Sequence, residues 1–225
     1  MCKVMLMENA AATATAATKP ARARNRRGEG GLLRDEIIRA AVELLDEARD
    51  ERAVTLRSVA RRAGIAAPSI YPHFADQPAI MLAVVQREFV ALEAELVAAV
   101  GNAGDNPRDR LRVICDTYLD FALKYPERYR TMFGGLWIPD LVHSSLTKHD
   151  LATLGDAILK LLVDALSECV TAGQATSDNV DADAVALWLG LHGFAHQRAV
   201  SPSFPWPTDI VDRVIGSLAH LTSKP

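Results

Sequence analysis

Cysteine is scarce in this chain: Cys2, Cys115 and Cys169 are all there is in 225 residues, and no two share a metal-ligand spacing. A disulfide framework is therefore not expected, and a reducing, cytoplasmic setting is. Long apolar runs are also missing. Nothing approaches the roughly 20 consecutive apolar residues that span a bilayer, so no membrane attachment is expected. Val4-Met-Leu-Met7 is too short for a signal-peptide core. β-Branched and aromatic residues do not alternate with polar ones, which argues against sheet. No Gly-rich phosphate loop, Ser/His/Asp or Cys/His arrangement, or paired acidic motif is visible, so an enzyme would lack recognisable machinery. No cofactor and no metal is expected.

What is present is 49% apolar residues, mostly Ala, Leu and Val, enough for a substantial helical core. The net charge of −3 conceals an asymmetry. Residues 1–75 carry 13 Lys and Arg against 9 Asp and Glu, and the remainder carries 12 against 19. A basic front on an acidic body suits a chain that touches a polyanion with one end, with chance scatter as the alternative.

Residues 10–18 are only Ala and Thr, and 19–31 are rich in Arg and Gly. Residues 1–31 read as a disordered arm; a transit peptide is the other reading of such a leader. From Leu32 the apolar spacing turns helical, with Leu33, Ile37, Ala40, Ala41, Leu44, Leu45 and Ala48 forming one stripe. Thr55 can cap a second helix that runs to about Ala63, and Gly64 suits the positive φ at its end. Pro68 fits the first turn of a third helix, which Pro72 should stop near Phe74. Asp76 caps a long helix from Gln77 to about Val100. Helical stripes follow at about 107–124, 126–133, 149–172, 180–199 and 208–222, with 135–148 open between loop and short helix. The expected fold is all-α: an arm (1–31), a three-helix domain (32–76) and a helical bundle (77–225).

The stretch from Thr55 to Phe74 is the most informative. Small Ala60 lets two helices cross closely, Gly64 makes the turn, and Ile70 points back beside Leu56 and Val59. These are the parts of a helix-turn-helix that docks on DNA. With its flanks, Thr55-Leu-Arg-x-Val-Ala-x-x-Ala-Gly-Ile-Ala, then Ser-Ile-Tyr-x-His-Phe-x-Asp76, it resembles the N-terminal domain of TetR family transcriptional regulators over residues 32–85. The resemblance implies that Thr55 and Arg57 meet phosphate. Ala66, Ala67, Pro68 and Ser69 would enter the major groove, Tyr71 and His73 would touch the DNA backbone, and Phe74 would pack inward. A lysine common in the family just after this motif is here Gln77, which weakens one phosphate contact. Arg22, Arg24, Arg26 and Arg27 of the arm could compensate. Arg61 and Arg62 read as a solvated face.

In the body, Tyr118, Phe121, Tyr125, Tyr129, Phe133 and Trp137 recur at helical spacing, as core or as the lining of a small-molecule pocket. The passages Tyr118–Phe133 and Trp188-Leu-Gly-Leu-His-Gly193 resemble the TetR subgroup with a C-terminal Trp-His-Gly signature, which implies a ligand-responsive domain. His192 and His196 stand four apart on one helix, but no third metal ligand accompanies them. His192 and Trp188 are read with the pocket. The resemblance further implies a homodimer through a four-helix interface, for which the stripes with Leu154, Ile158, Leu161 and Leu162 and with Leu187, Leu191 and Phe194 are the candidates. Two recognition helices would then sit about 34–36 Å apart on a near-palindromic operator. The reading that results is a repressor released from double-stranded DNA by a small apolar or amphipathic ligand. A regulator without a small-molecule inducer, and a helical enzyme or carrier, are the alternatives.

Overall fold

The computed structural model describes residues 30–134 and 137–222. The arm, with Arg22, Arg24, Arg26 and Arg27, lies outside the described residues. Among those described, apolar spacing of three and four residues becomes nine α-helices, and the only strand-like pairing is one antiparallel bridge between Ala175 and Leu221.

Helix α1 (Gly30–Ala48) buries Ile37, Ile38, Ala41 and Leu45. Helix α2 (Leu56–Ala63) begins in a capping box: the Thr55 hydroxyl accepts the Ser58 N–H at 3.1 Å and the Ser58 hydroxyl accepts the Thr55 N–H at 2.8 Å. It ends at Gly64, whose φ of 68° is the left-handed value that glycine adopts without a Cβ penalty. Val59, Ala60, Ile70 and Phe74 close the small core over α1.

The third helix does not form as an α-helix. Ala67–Ser69 make one 3-10 turn, and the chain then closes with His73 and Phe74 N–H groups on the Ile70 carbonyl. Pro72 has no N–H to give to Pro68, so a second α-turn cannot propagate.

Helix α3 (Gln77–Gly101) is capped by Asp76, whose carboxylate accepts the Ala79 N–H at 2.9 Å. Its first half, with Ile80, Met81 and Val84, packs into the small core; Leu92 and Leu96 belong to the core of the body. A boundary at 76/77 therefore runs beside an element that both halves share. The body is α4 (Pro107–Lys124), α5 (Pro126–Phe133), α6 (Lys148–Ala152), α7 (Asp156–Thr171), α8 (Val180–Val200) and α9 (Ile210–Leu218).

Two expected helices are shorter. The stripe over 149–172 is broken into α6 and α7 by Gly155, which has φ 84°. A Cβ there would lie 2.9 Å from the Phe89 ring, so the break lets α3 approach. The stripe over 208–222 stops at Leu218, and His220 turns with φ 48°. The tail then bonds sideways, Thr222 N–H to Gln174 O at 3.0 Å, where Arg108 also donates to both carbonyls.

Candidate nucleic-acid interface and ligand cavity

Grip on a polyanion requires N–H groups, hydroxyls and unpaired cations on one exposed face. The start of α2 has them. Thr55, Leu56, Arg57, Tyr71 and Gln77 line one shallow concavity together with Glu51 and Arg52. Arg57 is exposed and makes no ion pair among the described residues, and Tyr71 is 59% exposed. Arg52 and Arg62 are engaged elsewhere. Arg52 pairs with Asp50 at 2.9 Å, and Arg62 bonds Glu47 at 2.9 Å across to α1. That hydrogen bond lowers the Glu47 pKa and raises that of Arg62. The reading of Arg62 as a solvated face is thus corrected: it ties α2 to α1. The Thr55 hydroxyl donates to Ser58 Oγ at 3.0 Å, so its proton is committed to the cap.

Ala66 and Pro68 are exposed, and Ala67, Ser69 and His73 are half-buried on the tight turn between α2 and α3. Phe74 is buried at 4%, with the Arg34 guanidinium 5.0 Å from its ring centroid. No long hydrogen-bonding side chain projects from 66–70; Ser69 and backbone groups are the polar atoms this turn presents.

In the body a cavity of about 290 Å³ opens where α3, α5, α7 and α8 meet. Its walls include the rings of Phe89, Phe133 and Trp188, and aliphatic Leu154, Ile158 and Leu159. Phe133 leads inward to Tyr129 and His192, with centroids 5.0 Å away in both cases. There the Tyr118 and Tyr129 hydroxyls are 3.0 Å apart, and Tyr129 lies 2.6 Å from His192 Nδ1. Burial pushes Tyr129 up to about 12 and Tyr118 higher still, and it lowers His192. All three are neutral near pH 7, so Tyr118, Tyr129 and His192 Nδ1 form a hydrogen-bonded row of uncharged groups.

Residues 37–84 match the family model described as bacterial regulatory proteins, tetR family, and residues 111–220 match the one described as tetracyclin repressor-like, C-terminal domain. Between them these matches take in most of the chain, reader and body alike.

The chain belongs to the TetR family.

A curated relative, the HTH-type transcriptional activator FasR of Mycolicibacterium smegmatis, is 30% identical over 142 residues, 61% of this chain and 64% of its own length. The match therefore spans just under two thirds of that relative. A solved protein of unknown function from Rhodococcus sp. RHA1 is 25% identical with a TM-score of 0.68, covering 85% of this chain and 95% of that one. FadR from Bacillus subtilis, solved with stearoyl-CoA, shares the fold at 14% identity, with a TM-score of 0.63 over 82% of this chain and 95% of its own.

Against this TetR framework several sequence expectations change. Of the aromatic set, Phe133 and Trp188 line the cavity, whereas Tyr118, Tyr129 and His192 stand behind its wall. Phe121 and Tyr125 form a separate pair beneath Arg128, 5.0 and 4.7 Å from their centroids. Tyr125 is the first residue past α4, so its side chain leaves the helical stripe. Trp137 packs against the reader's core instead. Of the interface set, Ile158, Leu162, Leu187 and Leu191 are 0–5% exposed and fill this chain's own core. Leu154 and Ile158 line the cavity. Leu161 is half-buried against the core, and Phe194 packs edge-on to Trp206 at 5.4 Å. Helices α7 and α8 turn their strongest stripes inward onto α4. The large apolar residues that α8 leaves exposed are Val185, Leu189 and Val200.

The sequence reading passed over Phe89, Leu159, Gly155 and Asp156 of the cavity. Phe89 sits at a helical spacing from Leu92 and Leu96, the signal that could have found it; nothing local marks Asp156.

Proposed function

We propose that this chain is a DNA-binding transcriptional regulator, working in the cytoplasm as a homodimer and released from its operator by a small ligand in the body. The observation that carries the reading is the concavity that gathers Thr55, Arg57, Tyr71 and Gln77 at the N-terminal end of α2, beside the Ala66–Ser69 turn with its exposed Ala66 and Pro68. Arg57 and Tyr71 hold phosphate; Ala66, Ala67, Pro68 and Ser69 face the major groove; His73 flanks them. The arginine arm, with Arg24, Arg26 and Arg27, adds phosphate or minor-groove contacts. The exposed Val185, Leu189 and Val200 on α8 support a symmetric interface on that face.

Assignment to the Trp-His-Gly subgroup is supported by the mutual packing of its two passages, Tyr129 and Phe133 against Trp188 and His192. The cavity of about 290 Å³ supports ligand control. Ligand and DNA then oppose each other through two conformations of the same dimer. Activation rather than repression is the second reading, favoured by the name of the FasR relative, an activator.

A mobility-shift assay on DNA flanking the coding region tests the function. Salt-sensitive, sequence-specific retardation is expected, and none on any promoter-sized fragment overturns it. Transcription from the bound promoter, with and without the protein, separates repression from activation.

A further inference from the structure

We propose that the cavity takes a compact apolar cation, an alkyl- or arylammonium, in preference to an anionic or long-chain ligand. The proposal rests on the ligand-binding reading above and gives that ligand a charge and a size.

Three aromatic rings meet around the space at steep mutual angles. Phe89 and Phe133 are inclined by 81° at 5.4 Å, and Phe133 and Trp188 by 53° at 6.3 Å. Rings set as adjoining walls present π-clouds from several directions, the arrangement that attracts an ammonium group. Asp156 is the only charged side chain among the lining residues, and no lysine or arginine joins it. The imidazole of His192, behind the wall, stacks on Trp188 at 5.7 Å, with its pKa lowered by burial and then by His196, so it adds no positive charge near pH 7.

One feature opposes this. The cavity lies at the N-terminus of α7, where the helix dipole contributes about half a positive charge. The full negative charge of Asp156, at the first residue of that helix, exceeds it, so the balance stays negative. Size points the same way. About 290 Å³ is just under the roughly 300–1,000 Å³ typical of small-molecule sites, and its aliphatic and aromatic lining suits a short, bulky body.

Titration calorimetry on the DNA-free protein tests the idea with three probes of similar shape: benzyltrimethylammonium, its uncharged carbon isostere neopentylbenzene, and anionic 3-phenylpropionate. The cation is expected to bind at least tenfold more tightly than the isostere, about 1.4 kcal/mol. Asp156→Asn should reduce that advantage, the aromatic walls keeping the remainder. Trp188→Leu should weaken the cation more than the isostere. Tighter binding of the anion or the isostere, an Asp156→Asn protein that keeps the full preference for the cation, or no binding of any probe overturns the inference. A cation that binds as described but leaves the DNA complex intact overturns the inducer reading alone.

Discussion

Asp76 and Ser145 lie 69 residues apart and share one carboxylate. Asp76 caps α3 through the Ala79 N–H, while it accepts the Ser145 N–H at 2.6 Å and the Ser145 hydroxyl at 3.1 Å. The segment before α6 is thereby pinned to the joint where the DNA-reading turn becomes α3. Trp137, on the same segment, packs into the reader's core. Since that segment continues through α6 into the cavity rim at Ala152–Asp156, cavity and reader are joined by a short, hydrogen-bonded path. Asp76→Ala removes the cap and the Ser145 anchor together. A loss of about 1–2 kcal/mol is expected, read as a melting temperature lower by roughly 2–4 °C per kcal/mol for a chain of this size.

Gln77 shares its concavity with Thr55, Arg57 and Tyr71. Gln77→Lys should tighten operator binding and steepen the salt dependence by about one unit, whereas Arg57→Ala should flatten it by about one unit. Mobility shifts across a salt series read both; a Gln77→Lys protein with an unchanged slope would place this concavity off the DNA.

Glu88 is a buried carboxylate, 5% exposed, held by Arg128 from α5. Arg128 also covers Phe121 and Tyr125, and next to it Glu127 meets Arg49, just past α1, at 3.5 Å. Arg128→Ala strands the carboxylate and should cost about 3 kcal/mol in denaturant unfolding. Glu88→Gln with Arg128→Gln should cost clearly less, because no lone charge remains.

Gly155→Ala combines a positive φ with a Cβ 2.9 Å from Phe89. A destabilisation of about 1–3 kcal/mol is expected, with weaker ligand binding because Phe89 is a cavity wall. Calorimetric melting and ligand titration of the variant check both parts.

His192 has its pKa lowered by burial. The unfolded chain therefore takes up a proton at His192 before the folded one does, and stability falls as pH drops through the unfolded value of about 6.5 and levels off below the folded one. His192→Asn, which can still hydrogen-bond Tyr129, should lose this part of the pH dependence. Melting temperatures at pH 7.5 and 5.5 that fall equally in both proteins would contradict it.

Most of the helices, their caps and the position of the reader were legible in the sequence because their causes are local. Thr55 with Ser58, Asp76 with Ala79, and Pro72 four residues after Pro68 act within one turn. Residues about four apart on a helix share a face whatever the rest of the chain does. The cavity and the exposed face of α8 were not legible, since α7 and α8 are apolar on more than one side. Periodicity cannot say which side faces α4, and the stripes with Ile158, Leu162, Leu187 and Leu191 went inward. The same holds for Arg128 with Glu88, 40 residues apart, and Ser145 with Asp76. The sequence by itself determined an all-helical chain with a DNA-reading turn near its front. Only tertiary packing decided which aromatic rings surround empty space, because that depends on where helices distant in sequence cross and how closely Gly155 lets them approach.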